Sequence, residues 1–388
     1  MATSQKREKV SQGLIIVSFL ALIWLPTWDW IWDLDHCPAP NENRNPAPFP
    51  GCFQVSGAYL TACNQFFDDH FGFRNQLVRW NTHWKLKAFK EAGTIVMQGK
   101  KGWLYYKSEG MIENYTGQHR FKDADLQDWK TALETRRNWL ASKGIKYIMV
   151  VAPNKESIYP EYLPTWLVKT AEPVKLDQFV SYMRTNSSVI VVDLRPSLLR
   201  AKQKEPTYFR TDTHWNNFGG FVGYQQIVHA AGIEPEPLEH FTQRRMPRTG
   251  DLAQCIDQAD VMLESYNTVF DPKKPLAPLK QRQNETERWT RTENPAKTGK
   301  ALVLGDSFFD ALIPFVGYSF KEVLFRHRTC NFCDAVAAEK PDLVIDEMVE
   351  RTFNNAAPLG LLQPQEKLAR LQAAARGRTG TLVQNKAP

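Results

Sequence analysis

The stretch ALVLGDSFFDAL, residues 301–312, decides the fold class of this 388-residue chain. Its first residues form an apolar run typical of a buried strand, and Gly305 permits a tight turn into a helix that begins at about Phe308. At the carboxyl end of a strand in an α/β sheet, polar residues face the usual ligand site. Ser307 is therefore predicted at a helix N-terminus, where free backbone N–H groups can stabilise an oxyanion.

A second polar stretch, FRTDTHWNNFGG at residues 209–220, lies in a predicted loop before a helix. Asp212 and His214 are two residues apart, so both side chains can point the same way on an irregular loop. The carboxylate would then fix the imidazole tautomer while the other ring nitrogen faces a nucleophile. We predict that Ser307, His214 and Asp212 form a catalytic triad. Helix-capping residues beside a packed histidine are the alternative for each motif taken alone.

Other apolar segments alternate with predicted helices, and near-continuous Val and Ile runs indicate a parallel sheet covered on both faces. These runs are KYIMVVAP from about residue 147, SVIVVDL at 188–194 and DLVIDEM at 342–348. The predicted fold class is therefore α/β, with EVLFRH at 322–327 as an edge element. The polar segment from 232 to 298 is rich in Pro, Arg and Gln, and we predict an insertion or lid outside the sheet.

The first 32 residues carry a membrane signal. Lys6, Arg7 and Lys9 precede an uncharged stretch, and Asp29 follows it, which is the charge order of an inside-positive span. The unbroken apolar run is about 13 residues, shorter than the roughly 20 of a spanning helix, so a cleaved signal peptide and a soluble helix stay open as alternatives. We predict an uncleaved anchor because no small-residue cleavage site follows the apolar run, and because Trp24 near its end and Trp28, Trp30 and Trp32 after it fit an interfacial belt.

Composition divides the rest of the chain. A Pro- and Asn-rich linker is predicted at 33–58, the catalytic domain at 59–365 with its insertion at about 232–298, and a C-terminal helix and flexible tail at 366–388. The catalytic domain is predicted to open with one helix from Tyr59 to Ala92. The net charge of +7 is small beside 91 Lys, Arg, Asp and Glu residues, and no nucleic-acid-binding motif is visible.

Six cysteines in an extracytoplasmic domain predict disulfide bonds, whose pairing the sequence leaves open. Cys330 and Cys333 form a C-x-x-C, but the second half of a zinc motif is missing. The histidines show no metal-ligand spacing. We therefore predict neither a catalytic metal nor another cofactor.

The motifs GDSF at 305–308 and TDTHWN at 211–216 resemble the signatures of the SGNH-hydrolase-like domain of the alginate O-acetyltransferase family. This family comprises periplasmic enzymes that acetylate alginate and, in relatives, cellulose. Its acetyltransferase branch places the D-x-H before the G-D-S, a permutation of ordinary SGNH hydrolases that this chain shares. Supporting similarities are DDHFGFRN at 68–75, GKKGWLYY at 99–106, VAPNKESIYPEYLP at 151–164 and KPDLVIDEMVERTF at 340–353.

The resemblance implies a three-layer, flavodoxin-like SGNH domain with permuted motifs. It implies an O-acetyltransferase acting on an exopolysaccharide, with Ser307 as nucleophile, His214 as base and Asp212 as orienting acid. It also implies a single-pass protein of the bacterial inner membrane, its catalytic domain in the periplasm, and a membrane-bound O-acyltransferase partner that supplies acetyl groups. A polysaccharide acetyl esterase and a catalytically idle scaffold of an export machine are the alternatives.

The family also implies oxyanion donors elsewhere in the chain. The candidates at strand ends are Asn154, Arg326, His327, Arg328 and Asn331, each of which could instead be an ordinary loop residue.

Three further side chains are singled out by their positions. Trp215, beside His214, is a candidate for substrate contact. Glu350 and Arg351 are expected to form a structural ion pair with each other.

Overall fold

The computed structural model describes residues 2–38, 45–89, 93–274 and 276–355, together with Pro358, Leu362 and Glu366. Apart from Glu366, the C-terminal helix and tail predicted at 366–388 lie outside these residues, as does part of the predicted linker.

The helices fall into an N-terminal group and those that cover the sheet. They are α1 (Ala2–Trp32), α2 (Gly57–His70), α3 (Arg74–Phe89), α4 (Met111–Thr116), α5 (Asp123–Ala141), α6 (Lys155–Ile158), α7 (Lys175–Asn186), α8 (Arg195–Ala201), α9 (Asn217–Ala230), α10 (Asp251–Cys255), α11 (Ile313–Val316) and α12 (Phe332–Glu339).

In the described part of the chain, the strands form one large sheet and two separate antiparallel pairs. They are β1 (Val96–Gln98), β2 (Leu104–Tyr106), β3 (Lys146–Ala152), β4 (Ile190–Asp193), β5 (Phe241–Thr249), β6 (Leu263–Pro272), β7 (Lys280–Asn284), β8 (Trp289–Glu293), β9 (Lys300–Gly305), β10 (Glu322–His327) and β11 (Leu343–Val349). The large sheet has the order β4-β3-β11-β9-β10-β8-β7, and the pairs β1-β2 and β5-β6 stand apart from it.

The first five strands of that order are parallel, and helices cover both of their faces. Successive residues of β9 point to opposite faces: Val303 packs in the core on the α9 side, and Leu302 packs in the core on the α5 and α7 side. Burial on both faces explains why these strands are almost wholly apolar. The predicted three-layer α/β class is confirmed.

The end of the polar segment at 232–298 differs from the prediction. Its strands β7 and β8 extend the sheet, because β8 pairs antiparallel with β10. EVLFRH is therefore an inner strand, and the prediction that it forms an edge is wrong. The sequence did not predict these strands because β7, KQRQN, is largely exposed at the sheet edge and therefore has the polar composition of a surface loop.

The helix predicted from Tyr59 to Ala92 is two helices. The chain turns at Phe71–Phe73, where Phe73 has a positive φ of 60°, so α2 and α3 are separate. Gly72 lies against the backbone of Pro26 in α1, with no room for a Cβ atom. The turn between α2 and α3 therefore packs closely against α1 near its C-terminal end.

The stretch Gln12–Trp32 of α1 is long and apolar enough to cross a membrane, by length and composition. Within it Asp29 is buried, and one Asp29 carboxylate oxygen accepts the backbone N–H of Phe73 at 2.5 Å. The end of this helix is thus joined to the break between α2 and α3.

All six cysteines lie among the described residues, and each is a free thiol, so the predicted disulfides are not formed in the structure. Burial raises the pKa of the Cys333 thiol to about 11, which disfavours the thiolate that forms a bridge.

The close packing of α9 against Ala311 can be tested by replacing glycines of this helix. A Cβ atom on Gly220 would lie 2.6 Å from the backbone oxygen of Ala311, whereas one on Gly223 would meet only side-chain ends. We expect Gly220→Ala to lower the free energy of unfolding by about 1–3 kcal/mol through overpacking. Gly223→Ala, the matched control, should be neutral or gain up to about 1 kcal/mol from helix propensity. Urea unfolding measures both, and equal values for the two variants would contradict the packing.

Candidate active site

The turn after β9 presents Ser307. Asp306 caps a 3₁₀ helix, Ser307–Ala311, and its Oδ1 accepts the backbone N–H of Phe308 at 3.0 Å. Its Oδ2 accepts the backbone N–H of Val349 at 2.9 Å, at the end of the neighbouring strand β11. The carboxylate of Asp306 thus fixes the turn from both sides, and Ser307 follows the strand end where the sequence predicts it.

Glu347 of the neighbouring strand β11 contacts the backbone of this turn. It is fully buried, and its Oε2 accepts the backbone N–H of Asp306 at 3.0 Å. A Cβ atom on Gly305 would lie only 2.7 Å from that oxygen, so glycine is required for the close approach. Burial, and next the charge of Asp306, raise the pKa of Glu347 well above its usual range, which favours the neutral form of this side chain.

The loop before α9 carries the other two predicted residues to Ser307. His214 Nε2 lies 2.8 Å from Ser307 Oγ, and His214 Nδ1 lies 2.7 Å from Asp212 Oδ1. The same Asp212 oxygen accepts the backbone N–H of His214 at 2.9 Å. The structure therefore brings all three predicted residues together in the order of a triad, although their catalytic roles remain a prediction.

Residues of the predicted insertion hold Asp212 from the other side. Its Oδ2 accepts Arg248 Nη2 at 2.9 Å and the backbone N–H of Asp251 at 3.1 Å. Burial alone would raise the pKa of Asp212, but its hydrogen bonds and the charges of His214 and Arg248 outweigh burial and hold the pKa below its usual range. Asp212 is therefore a buried carboxylate that stays ionised.

A second carboxylate lies beside the imidazole. Asp251 Oδ2 is 3.5 Å from His214 Nδ1, and Asp251 Oδ1 accepts the backbone N–H of Thr213 at 2.6 Å. Burial, and then the charge of Asp212, raise the pKa of Asp251. Sequence reasoning missed Arg248, Asp251 and Glu347. For Glu347 alone there was a signal, because acids are rare within an apolar run such as DLVIDEM.

One oxygen each of Asp212 and Asp251 and one nitrogen of His214 lie within 4.8 Å of one another, the spacing of a possible metal site. The donors around them favour a hydrogen-bonded triad, since Arg248 places a cation against the same carboxylate. A guanidinium at that distance repels a metal ion.

Of the predicted oxyanion candidates, Asn154 and His327 stay open for a site role, whereas the other three have structural places. Asn154 is buried at the end of β3, and its Oδ1 has no hydrogen-bond partner among the described residues. His327 borders the same cavity as Ser307, and burial with the charge of Arg288 lowers its pKa. Arg328 instead binds Asp346, 2.5 Å away.

The remaining two oxyanion candidates have structural places. Asn331 caps α12 by accepting the backbone N–H of Asp334 at 3.2 Å. Arg326 lies within β10, opposite Trp289 of β8.

Trp215 does not lie where a substrate could touch it. It is buried, and its Nε1 donates to the backbone oxygen of Phe308 at 2.8 Å, so it braces the turn that carries Ser307. Glu350 and Arg351 do not pair with each other as predicted. Glu350 accepts the backbone N–H of Asn154 at 2.9 Å, because both residues lie at the ends of adjacent strands. Arg351 lies 3.7 Å from Glu109.

A cavity of about 420 Å³ opens beside Ser307. Its far wall is formed by β7, β8 and the turn between them, so the predicted insertion contributes directly to the site. The side chains of this wall are polar or aromatic: Gln281, Gln283, Asn284, Glu285, Arg288, Trp289 and Thr290. Such a mixture suits a ligand rich in hydroxyl groups.

A family model described as "SGNH hydrolase-like domain, acetyltransferase AlgX" matches residues 96–322, more than half of the chain. The "Probable alginate O-acetylase AlgJ" of Pseudomonas syringae pv. tomato is 27% identical over 277 residues, which are 69% of this chain and 64% of that protein. The protein of the same name from Pseudomonas fluorescens is 26% identical over 258 residues, 64% of this chain and 62% of that one. This chain spans less than two thirds of the length of these relatives.

Among solved structures, that of Bacillus cereus PatB1 with a sulfonyl adduct superposes with a TM-score of 0.51 at 16% identity. The match covers 69% of this chain and 100% of that one. It agrees with the α/β fold described above.

The raised pKa of Glu347 predicts a pH effect on stability. An unfolded glutamate titrates near 4.3, so the stability that neutral Glu347 contributes is full below about pH 4 and is lost as the pH rises. Glu347→Gln is neutral at every pH and keeps an acceptor for Asp306. Its free energy of unfolding, minus that of the wild type, should increase between about pH 5 and pH 8. Urea unfolding across this range measures the difference, and a constant difference would contradict a neutral Glu347.

The contact between Arg248 and Asp212 leads to a prediction about the reactivity of Ser307. Arg248→Ala removes a hydrogen bond to the carboxylate that orients His214, and a bond to a charged group contributes about 1.5 kcal/mol or more. Labelling of Ser307 by a sulfonyl fluoride should therefore slow by roughly tenfold. Arg245→Ala, on the same strand but 66% exposed and 3.9 Å from its partner Glu205, is the matched control and should label at the wild-type rate. Equal rates for both variants would show that Arg248 does not act through Asp212.

Proposed function

This chain belongs to the SGNH hydrolase-like acetyltransferase family, and we propose that it is a membrane-anchored enzyme that transfers acetyl groups to hydroxyls of an exopolysaccharide outside the cytoplasm. The observation that carries this proposal is the 2.8 Å contact between His214 Nε2 and Ser307 Oγ, backed by Asp212 on the other ring nitrogen. The names of the curated relatives suggest alginate or a similar polymer as the acceptor.

In the first step Ser307 Oγ attacks the carbonyl carbon of an acetyl ester while His214 Nε2 takes its proton. The ionised carboxylate of Asp212 stabilises the imidazolium that forms. Collapse of the tetrahedral intermediate breaks the ester bond, and His214 returns the proton to the leaving oxygen. An acetyl-Ser307 ester remains.

In the second step a sugar hydroxyl loses its proton to His214 and attacks the acetyl carbonyl. The bond to Ser307 Oγ breaks, and His214 returns the proton to the serine. The cavity beside Ser307 would hold the acceptor, since Trp289 offers a stacking face and the Gln and Asn side chains offer hydrogen bonds to hydroxyls.

The apolar helix Gln12–Trp32 and the basic residues before it support the proposed anchoring. A single pass through the bacterial inner membrane would place the catalytic domain in the periplasm. Acetyl-CoA is a cytoplasmic donor, so the acetyl group must be delivered across the membrane. A membrane-bound O-acyltransferase is the partner that would supply it.

Hydrolysis of the same acyl-enzyme would make the protein an acetyl esterase, because transfer and hydrolysis differ only in the attacking nucleophile. The ratio of acetylated oligosaccharide to free acetate, formed from one acetyl-ester donor, distinguishes the two. Failure of a sulfonyl fluoride to label Ser307 would instead favour the idle scaffold.

Replacement of the triad tests the proposal. Ser307→Ala, His214→Ala and Asp212→Ala should each lower acetyl transfer by on the order of 10³-fold or more, with Asp212→Ala the mildest because it removes no reacting group. Losses in the double variants should not add, since the three residues act as one unit. His327→Ala, at the same cavity but outside the triad, is the control for the base and should keep far more activity. Near-normal transfer by a folded Ser307→Ala protein would overturn the proposal.

A further inference from the structure

Helix α3 has two faces of different character. One face packs on the globular domain: Leu86 is buried in a cluster with Leu104, and Arg79 Nη2 lies 2.5 Å from Asp260 Oδ2. His83 Nδ1 is 3.2 Å from Gln258 Oε1 on the same side. This face fixes the rotation of the helix about its axis.

The opposite face carries large apolar side chains. Leu77, Trp80 and Trp84 follow the spacing i, i+3 and i+7, so they form one stripe, which we call the tryptophan stripe. They are 47%, 59% and 70% exposed. Three large apolar residues side by side on a helix that is already packed on its other face have no structural need to be apolar.

The flanks of the tryptophan stripe are basic. Lys85 and Lys87 are exposed on α3, one on each side of the stripe by helical geometry. Tryptophan beside lysine is the composition of helices that lie in the interface of a bilayer, where the rings sit among the headgroups and the ammonium groups meet anionic lipid.

The start of α3 is joined to the end of the apolar helix α1. Asp29 accepts the backbone N–H of Phe73, and Gly72 lies against Pro26. Trp30 of α1 also packs edge-to-face on Phe66 of α2, with ring centroids 6.2 Å apart. The start of α3, three residues before Leu77, is therefore fixed against the last two turns of the apolar stretch of α1.

We propose that the tryptophan stripe lies in the headgroup region of the bilayer, so that α3 holds the catalytic domain on the membrane surface beside its anchor. The occupant of this face is lipid, because the stripe is continuous with the end of a helix that suits a membrane span and is flanked by cations. The inference rests on the anchoring in the proposed function. It adds that the domain has a fixed height and orientation at the surface.

Photo-cross-linking of the full chain tests this inference. Three variants, Trp84→p-benzoylphenylalanine, Trp166→p-benzoylphenylalanine and Trp24→p-benzoylphenylalanine, are reconstituted in vesicles of phosphatidylethanolamine and phosphatidylglycerol, illuminated and analysed by mass spectrometry for lipid adducts. Trp166 is the matched control, because it is 65% exposed, nearly as much as Trp84, but lies on the globular domain. Trp24 lies in the apolar stretch of α1 and reports on the anchor itself.

We expect lipid adducts at positions 24 and 84, with a yield at 84 several-fold above that at 166. A lipid adduct at 24 but not at 84 would overturn the interfacial helix and leave the anchor intact. Adducts absent at both positions would remove the anchor and this inference with it. Cross-links from position 84 to a second protein chain, or equal lipid yields at 84 and 166, would also overturn it.

Discussion

Parallel pairing of β9 between β11 and β10 is the constraint on which the rest of the site depends. It places the carboxyl end of β9 beside that of β11, so the backbone of Val349 can hold the carboxylate of Asp306. Helices on both faces make these strands apolar and keep the sheet rigid. Ser307 therefore follows a strand that is buried on both faces, which suits the precise positioning that its proposed role as nucleophile requires.

The two buried carboxyl groups of the site differ in the direction of their pKa shifts. Below the turn, burial and next the charge of Asp306 raise the pKa of Glu347 and favour its neutral form. Above it, Asp212 stays ionised, although it is buried, because Arg248 and His214 face it. A neutral Glu347 beneath Ser307 and an ionised Asp212 behind His214 agree with the proposed mechanism, in which positive charge develops on His214.

Contacts within a local motif, and the His214–Ser307 contact that joins two such motifs 93 residues apart, were predictable from the sequence, whereas the other long-range contacts of the site were not. The strand-to-helix turn at Ser307 and the two-residue spacing of Asp212 and His214 are encoded within a few residues, so both were found. Arg248 reaches Asp212 from 36 residues away and Glu347 reaches Asp306 from 41, and no local pattern marks such contacts. The strands β7 and β8 were missed for another reason, since exposed edge strands carry the polar composition of loops.

The proposed function requires that Ser307 carry the acetyl group between donor and acceptor. The most direct measurement is quenched-flow mass spectrometry of the peptide that contains Ser307, after mixing the protein with an acetyl-ester donor. We expect an acetyl adduct on Ser307 that accumulates within one turnover and disappears when an acceptor oligosaccharide is added, with the acetyl group recovered on the sugar. Transfer of acetyl to the oligosaccharide at full rate, with no adduct on Ser307 at any time, would contradict it.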